Sequence, residues 1–149
     1  MVGAVVDSSG NIGIGTTRPS AKLHVDGNIL ATGAVTAGQA SDARLKSNIV
    51  TARNACGILR SLRGVEFDWN AIATENCKDL TGHDVGLIAQ EVESLIPSAI
   101  GTIWGEYKRL DYTKITPYLV EGWKAHDEEI QRLKTKIKQL EERIYELER

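Results

Sequence analysis

Apolar positions along this chain change their period twice, and the last stretch has the clearest pattern. Ile130, Leu133, Ile137, Leu140, Ile144 and Leu147 are spaced alternately by three and four residues, and Leu119, Trp123 and His126 extend the line backward. This is a heptad seam with Ile at a and Leu at d, about four heptads long, and it predicts a coiled-coil helix over 119–149. A helix with a continuous apolar stripe needs another surface to cover it, which weighs against a solitary helix with merely solvated charges. The residues beside the seam give direction. In parallel helices in register, Glu129 meets Lys134, Lys136 meets Glu141 and Arg143 meets Glu148 of the neighbour. All three pairs are opposite in sign, which favours a parallel homo-oligomer although each contributes only about 0.2–1 kcal/mol. The number of strands stays open: Ile at a with Leu at d is linked to dimers, while Trp123 and His126 crowd a narrow seam.

The first forty residues alternate with period two in short bursts. Ile12 and Ile14 alternate with glycine, Leu23 and Val25 with Lys22 and His24, and Ile29, Ala31 and Val35 continue the series. Ser9-Gly10-Asn11, Arg18-Pro19-Ser20 and Asp26-Gly27-Asn28 are turn signals between them. Strands this short bury no core within one chain and need partner strands from elsewhere. His24 lies within the strand pattern as a structural residue.

Residues 41–118 alternate helix and strand signals. Ala55, Ile58, Leu59 and Leu62 have helical spacing, with Gly64 as the expected stop. Val65, Phe67 and Trp69 alternate with Glu66 and Asp68 as a half-buried strand. Val85 to Ala89 is a short apolar run leading into a short helix, Gln90 to Ile96, that ends before Pro97. Ile103 to Leu110 reads as one more strand, and Asp111-Tyr112 opens the last helix. The fold class expected is therefore α+β, with a β segment (1–40), a small α+β domain (41–118) and a terminal helix (119–149).

Composition narrows the function. The chain has 149 residues, 18 Lys and Arg against 20 Asp and Glu, and a formal charge of −2, too near neutral for a general nucleic-acid binder. No apolar run approaches the roughly 20 residues of a membrane helix, and Met1 to Asp7 lacks the basic region of a secretory signal. Cys56 and Cys77 lack metal-ligand spacing and are expected as reduced thiols; no metal and no cofactor are expected. His83 is expected in a turn, and Trp69, Trp104 and Trp123 in cores or interfaces.

Ser41-Asp42-Ala43-Arg44-Leu45-Lys46-Ser47-Asn48-Ile49 stands at the first change of composition. Taken alone it is a capped helix start, with Ser41 or Asp42 accepting backbone N–H bonds and Arg44 and Lys46 solvated. Three later blocks stand in fixed order: Val65-Glu66-Phe67-Asp68-Trp69, Asp84 to Glu93 followed by Pro97, and Leu110-Asp111-Tyr112-Thr113-Lys114-Ile115. Together with the Ser41 stretch they resemble the intramolecular chaperone domain of phage tailspikes and tail fibres, the endosialidase-type self-cleaving family classed as peptidase S74. The resemblance covers residues 41–130. The run Gly10 to Thr16 followed by Ala21 to Val25 similarly resembles a tail-fibre stem.

The resemblance implies a homotrimer whose chaperone domain folds the preceding stem and then releases itself. It implies a Ser–Lys dyad, Ser41 and Lys46, cutting between Ala40 and Ser41 with one turnover per chain. Lys46 must lose its proton to act, so burial or nearby positive charge must lower a pKa that is about 10.4 in water. Arg44 is a candidate for that charge; Asp42 either orients the loop or caps a turn. The oxyanion stabiliser is not identified by the sequence. The partners implied are two further copies and the upstream stem, assembling in the host cytoplasm, with the fibre going to the virion tail and the chaperone portion released. Competing readings are a non-cleaving trimerisation tip, a receptor-binding tip, and an animal-type membrane-bound transcription factor that borrows this domain.

Overall fold

The computed structural model describes residues 3–36, 38, 40–103 and 105–149. The chain divides into two compact units: residues up to Ser47 with Asp68–Asp84, and Asn48–Phe67 with Val85–Arg149. Trp104 lies outside the described residues.

In the first unit, β1 (Ala4–Val6), β2 (Ile12–Ile14) and β3 (Leu23–Val25) form a sheet in that order. β1 runs antiparallel to β2 with Val5 opposite Gly13, and β2 runs parallel to β3 with Gly13 opposite His24. The β1–β2 turn is organised by the Asp7 carboxylate, which accepts N–H bonds from Ser9 (2.8 Å) and Asn11 (2.9 Å). These bonds, that from Asn11 first, hold the Asp7 carboxyl below the usual carboxylate range. Gly13 is buried because the loop after β2 folds over it; a Cβ there would lie 2.4 Å from the Thr16 carbonyl oxygen. Around it Val5 and Val25 are half-buried, while Val6 is 70% exposed and Leu23 54%. The strands expected at Ile29, Ala31 and Val35 do not form, and these residues are exposed coil. The reason is physical: an extended segment with no neighbouring strand leaves its backbone groups to water.

β4 (Gly64–Asp68) pairs with β5 (His83–Leu87), and α1 (Ala55–Ser61) precedes them. Gly64 opens β4 rather than closing α1, whose last turn ends at Leu62 with extended backbone. Val65 and Phe67 are half-buried and Glu66 and Asp68 exposed, as the alternation predicts. Between the strands, α2 (Ala71–Asn76) starts at Asn70, whose side chain caps the Ala73 N–H at 3.1 Å. His83 is the first residue of β5, with Nδ1 3.1 Å from Asp68 Oδ1; the turn expected of it is made by Gly82 at φ 75°.

The second unit holds the core. Val92 of α3 (Ala89–Glu93) joins Ile96, Ala99 and Ile115, all at most 5% exposed, with Ile58, Leu59, Leu62, Leu87, Leu95, Ile100, Leu110 and Tyr118 packed around them. Pro97 ends the α3 segment in a 3₁₀ turn, Pro97–Ala99. The run expected as a single strand from Ile103 to Leu110 is a hairpin, β6 (Ile100–Ile103) and β7 (Tyr107–Leu110), with Gly101 opposite Arg109. Gly105 permits the reversal at φ 85°. Asp111 then caps a 3₁₀ turn, Tyr112–Lys114, by accepting the Thr113 N–H at 3.0 Å.

α4 (Thr116–Leu147) follows and has 32 residues, about 48 Å at 1.5 Å per residue. Its first turns pack on α1 through buried Gly122. There a Cβ would lie 2.4 Å from Leu59 Cδ1, and the Gly122 carbonyl accepts from Cys56 Sγ at 3.4 Å. From Trp123 onward every residue is exposed.

Candidate functional site

The Ser41–Asn48 stretch folds as a single 3₁₀ turn, Ala43–Leu45. Asp42 caps it: Oδ1 accepts the Arg44 N–H at 2.9 Å, and the Lys46 N–H closes the turn on the Ala43 carbonyl at 3.1 Å. The same carboxylate takes the Arg44 guanidinium, Nε at 3.0 and 3.2 Å and Nη2 at 2.7 Å. Arg44, bonded first through its side chain and then through its backbone N–H, holds the Asp42 carboxyl below the usual range, and Asp42 in turn raises the Arg44 guanidinium.

The tight turn carries the chain back on itself so that Lys46 Nζ donates to Ser41 Oγ at 2.9 Å. Asp42 thus caps the turn, one of the two roles left open by the sequence. With Arg44 bound to Asp42, its charge is largely matched locally. Every residue from Ala40 to Val50 is exposed in the single chain. A Lys–Ser contact in this geometry can pass the hydroxyl proton to nitrogen once the amine is neutral, and it lies beside the Ala40–Ser41 peptide bond.

The expected seam residues lie on α4. Leu119, Trp123, Ile130, Leu133, Ile137, Leu140, Ile144 and Leu147 are between 43% and 85% exposed, so the stripe has no cover within the chain. Cys56 and Cys77 are free thiols. His24 Nδ1 lies 3.3 Å from the Ser20 N–H, and Trp69 Nε1 donates to Asp84 Oδ2 at 3.1 Å. Among the described residues no helix is long and apolar enough to cross a membrane, and no cluster of His, Cys, Asp or Glu within the chain is arranged to hold a metal.

Sequence reasoning missed Tyr112, whose hydroxyl accepts the Leu87 N–H at 3.1 Å and sits where a Cβ on Gly86 would come within 2.8 Å. The glycine inside the Val85–Ala89 run was the available signal, since such a glycine marks a close approach. Also missed was a shallow groove where Val50 and Ala52 face Thr113, Pro117 and Val120; it joins residues too far apart in sequence for any spacing rule.

Residues 41–101 match the family described as chaperone of endosialidase, peptidase S74. The chain is 32% identical over 107 residues to the long tail fiber protein Gp37 of Salmonella phage S16, a match covering 68% of this chain and 14% of that protein. It is 31% identical over 119 residues to myelin regulatory factor homolog 1 of Caenorhabditis elegans, covering 76% and 12%. It is 30% identical over 125 residues to an uncharacterized membrane protein of Dictyostelium discoideum, covering 78% and 7%. The chain therefore spans only a small part of each of these relatives.

Proposed function

We propose that this chain, whose residues 41–101 belong to the chaperone of endosialidase family, is the intramolecular chaperone of a phage tail fibre or tailspike. In this reading it aligns three identical chains through parallel α4 helices and then frees the fibre by one self-cleavage between Ala40 and Ser41. The assembling partners are two further copies and the stem of the same chain. The relation to a phage long tail fibre protein supports the fibre role, as do the short, coreless strands β1–β3.

The observation that carries the reading is the 2.9 Å contact from Lys46 Nζ to Ser41 Oγ at the first residue of the matched domain. The neutral Lys46 amine takes the Ser41 hydroxyl proton, and Oγ bonds to the Ala40 carbonyl carbon. The Ala40–Ser41 C–N bond breaks, and the Ser41 nitrogen leaves with that proton as an α-amine. Water then hydrolyses the ester, giving the Ala40 carboxylate and restoring the Ser41 hydroxyl.

Timing follows from exposure. A water-exposed lysine is held charged by its solvation, and packing of neighbouring chains over the turn removes that solvation and favours the neutral amine. Cleavage then reports assembly. It also removes the nucleator covalently, so that the folded fibre is held by a kinetic barrier. Until then the coiled coil raises the local concentration of slow-pairing strands.

The exposure of Ser41 and Lys46 in the single chain favours a second reading, a trimerisation tip that stays attached. Intact mass of the purified protein separates the two. Self-release gives a fragment beginning at Ser41, absent from Ser41→Ala and Lys46→Ala variants that still assemble. A wild-type chain that assembles and stays whole supports the attached tip.

A further inference from the structure

The nine positions of the α4 line, from Leu119 to Leu147, hold one polar residue, His126. It occupies a d position, one layer after Trp123 and one before Ile130, and all three are exposed in the single chain. Resting on the parallel trimer proposed above, this placement brings three His126 side chains together on the three-fold axis between two apolar layers. We propose that the His126 layer binds one divalent transition-metal ion of the Zn²⁺ or Co²⁺ class per trimer.

The chemistry follows from what the layer otherwise lacks. Three imidazoles enclosed by indole and isoleucine side chains would leave ring nitrogens without partners, which is costly in an apolar setting. Helix axes roughly 8–10 Å apart in a three-stranded bundle lie about 5–6 Å from the common axis, and Cα atoms stand about 2.3 Å nearer where they face it. That leaves the Cα atoms about 3–4 Å from the axis, so the imidazoles must tilt along the axis to set a nitrogen about 2 Å from a central ion, the usual Zn–N distance. Three neutral histidines leave a fourth position for water or a small anion, a pattern tetrahedral zinc accepts. The carboxylate one turn on does not compete: Glu129 is held by Arg132, Nε at 2.7 Å and Nη2 at 2.6 Å. Among the described residues no cluster within one chain marks the site, since each copy supplies one ligand.

The test adds Co²⁺ and Zn²⁺ to the full chain, removes excess by gel filtration, and measures bound metal, Co²⁺ absorption and molar mass on the same sample. The expected result is one ion per three chains and a melting temperature that rises with added metal. Both effects are lost in His126→Leu, which keeps the seam apolar and whose molar mass must still be that of three chains, and both are retained in His24→Ala and His83→Ala. A wild-type trimer that holds no metal overturns the site, as does metal binding retained by His126→Leu or a ratio other than one to three. A wild-type monomer or dimer in the mass measurement overturns the trimer reading itself and the site with it.

Discussion

Ile137 sits midway along the exposed stripe of α4 and is 55% exposed in the single chain. Covering the rest of an isoleucine side chain contributes about 1 kcal/mol, so a layer of three gives about 3 kcal/mol. Ile137→Asp removes that layer and places three carboxylates on the axis, each with a desolvation penalty of several kcal/mol. The loss is at least about 10 kcal/mol per trimer at neutral pH, or about seven orders of magnitude in the association constant. Light scattering at micromolar concentration should therefore find wild type at three chains and Ile137→Asp at one. The core around Val92, Ile96, Ala99 and Ile115 precedes the seam, so its cooperative unfolding should persist. Helicity should fall, because an α4 extension with no partner loses most of its support. Lys138→Asp, one residue along at an exposed position off the seam, should leave the mass unchanged. An Ile137→Asp chain that keeps the wild-type mass refutes the seam.

Three further outcomes follow from particular contacts. Ile96→Ala empties a site only 1% exposed in a small core and should cost about 2–5 kcal/mol in denaturant unfolding; a loss below about 1 kcal/mol would contradict the packing described. Gly86→Ala should push the Tyr112 hydroxyl away from the Leu87 N–H, costing about 1 kcal/mol, and combining it with Tyr112→Phe should add little, a double-mutant cycle being the check. Asp42 has its carboxyl depressed in the folded chain by Arg44. Its contribution is therefore present above the unfolded value of about 3.9 and lost as pH falls through the lower folded value. An NMR titration should find Asp42 charged and the turn unchanged from pH 8 to 5, with the carboxyl titrating below the usual aspartate value.

How much of this was legible in the sequence depended on range. α1, β4 and α4 could be read because their apolar periods are set by neighbours three, four or two residues away. The Asp42 cap was equally local and was anticipated as one of two roles. What escaped depended on distant residues: the Tyr112–Leu87 bond, the groove between Val50 and Val120, and the approach of Leu59 to Gly122 bring together positions with no common period. The single strand expected from Ile103 to Leu110 failed at Gly105, where a positive φ turned it into a hairpin. The strands expected at Ile29 to Val35 found no partner strand among the described residues. The Ser41–Lys46 pairing was implied by resemblance; local propensity alone offered only a capped turn.

The most direct test of the assembly-linked release is a paired molar mass, native by light scattering and denatured by intact mass spectrometry, on wild type and Ser41→Ala. Three chains are expected in both native samples, with cleavage after Ala40 in the wild type and an unbroken chain in the variant. A native monomer, or a Ser41→Ala chain still cut between Ala40 and Ser41, would contradict it.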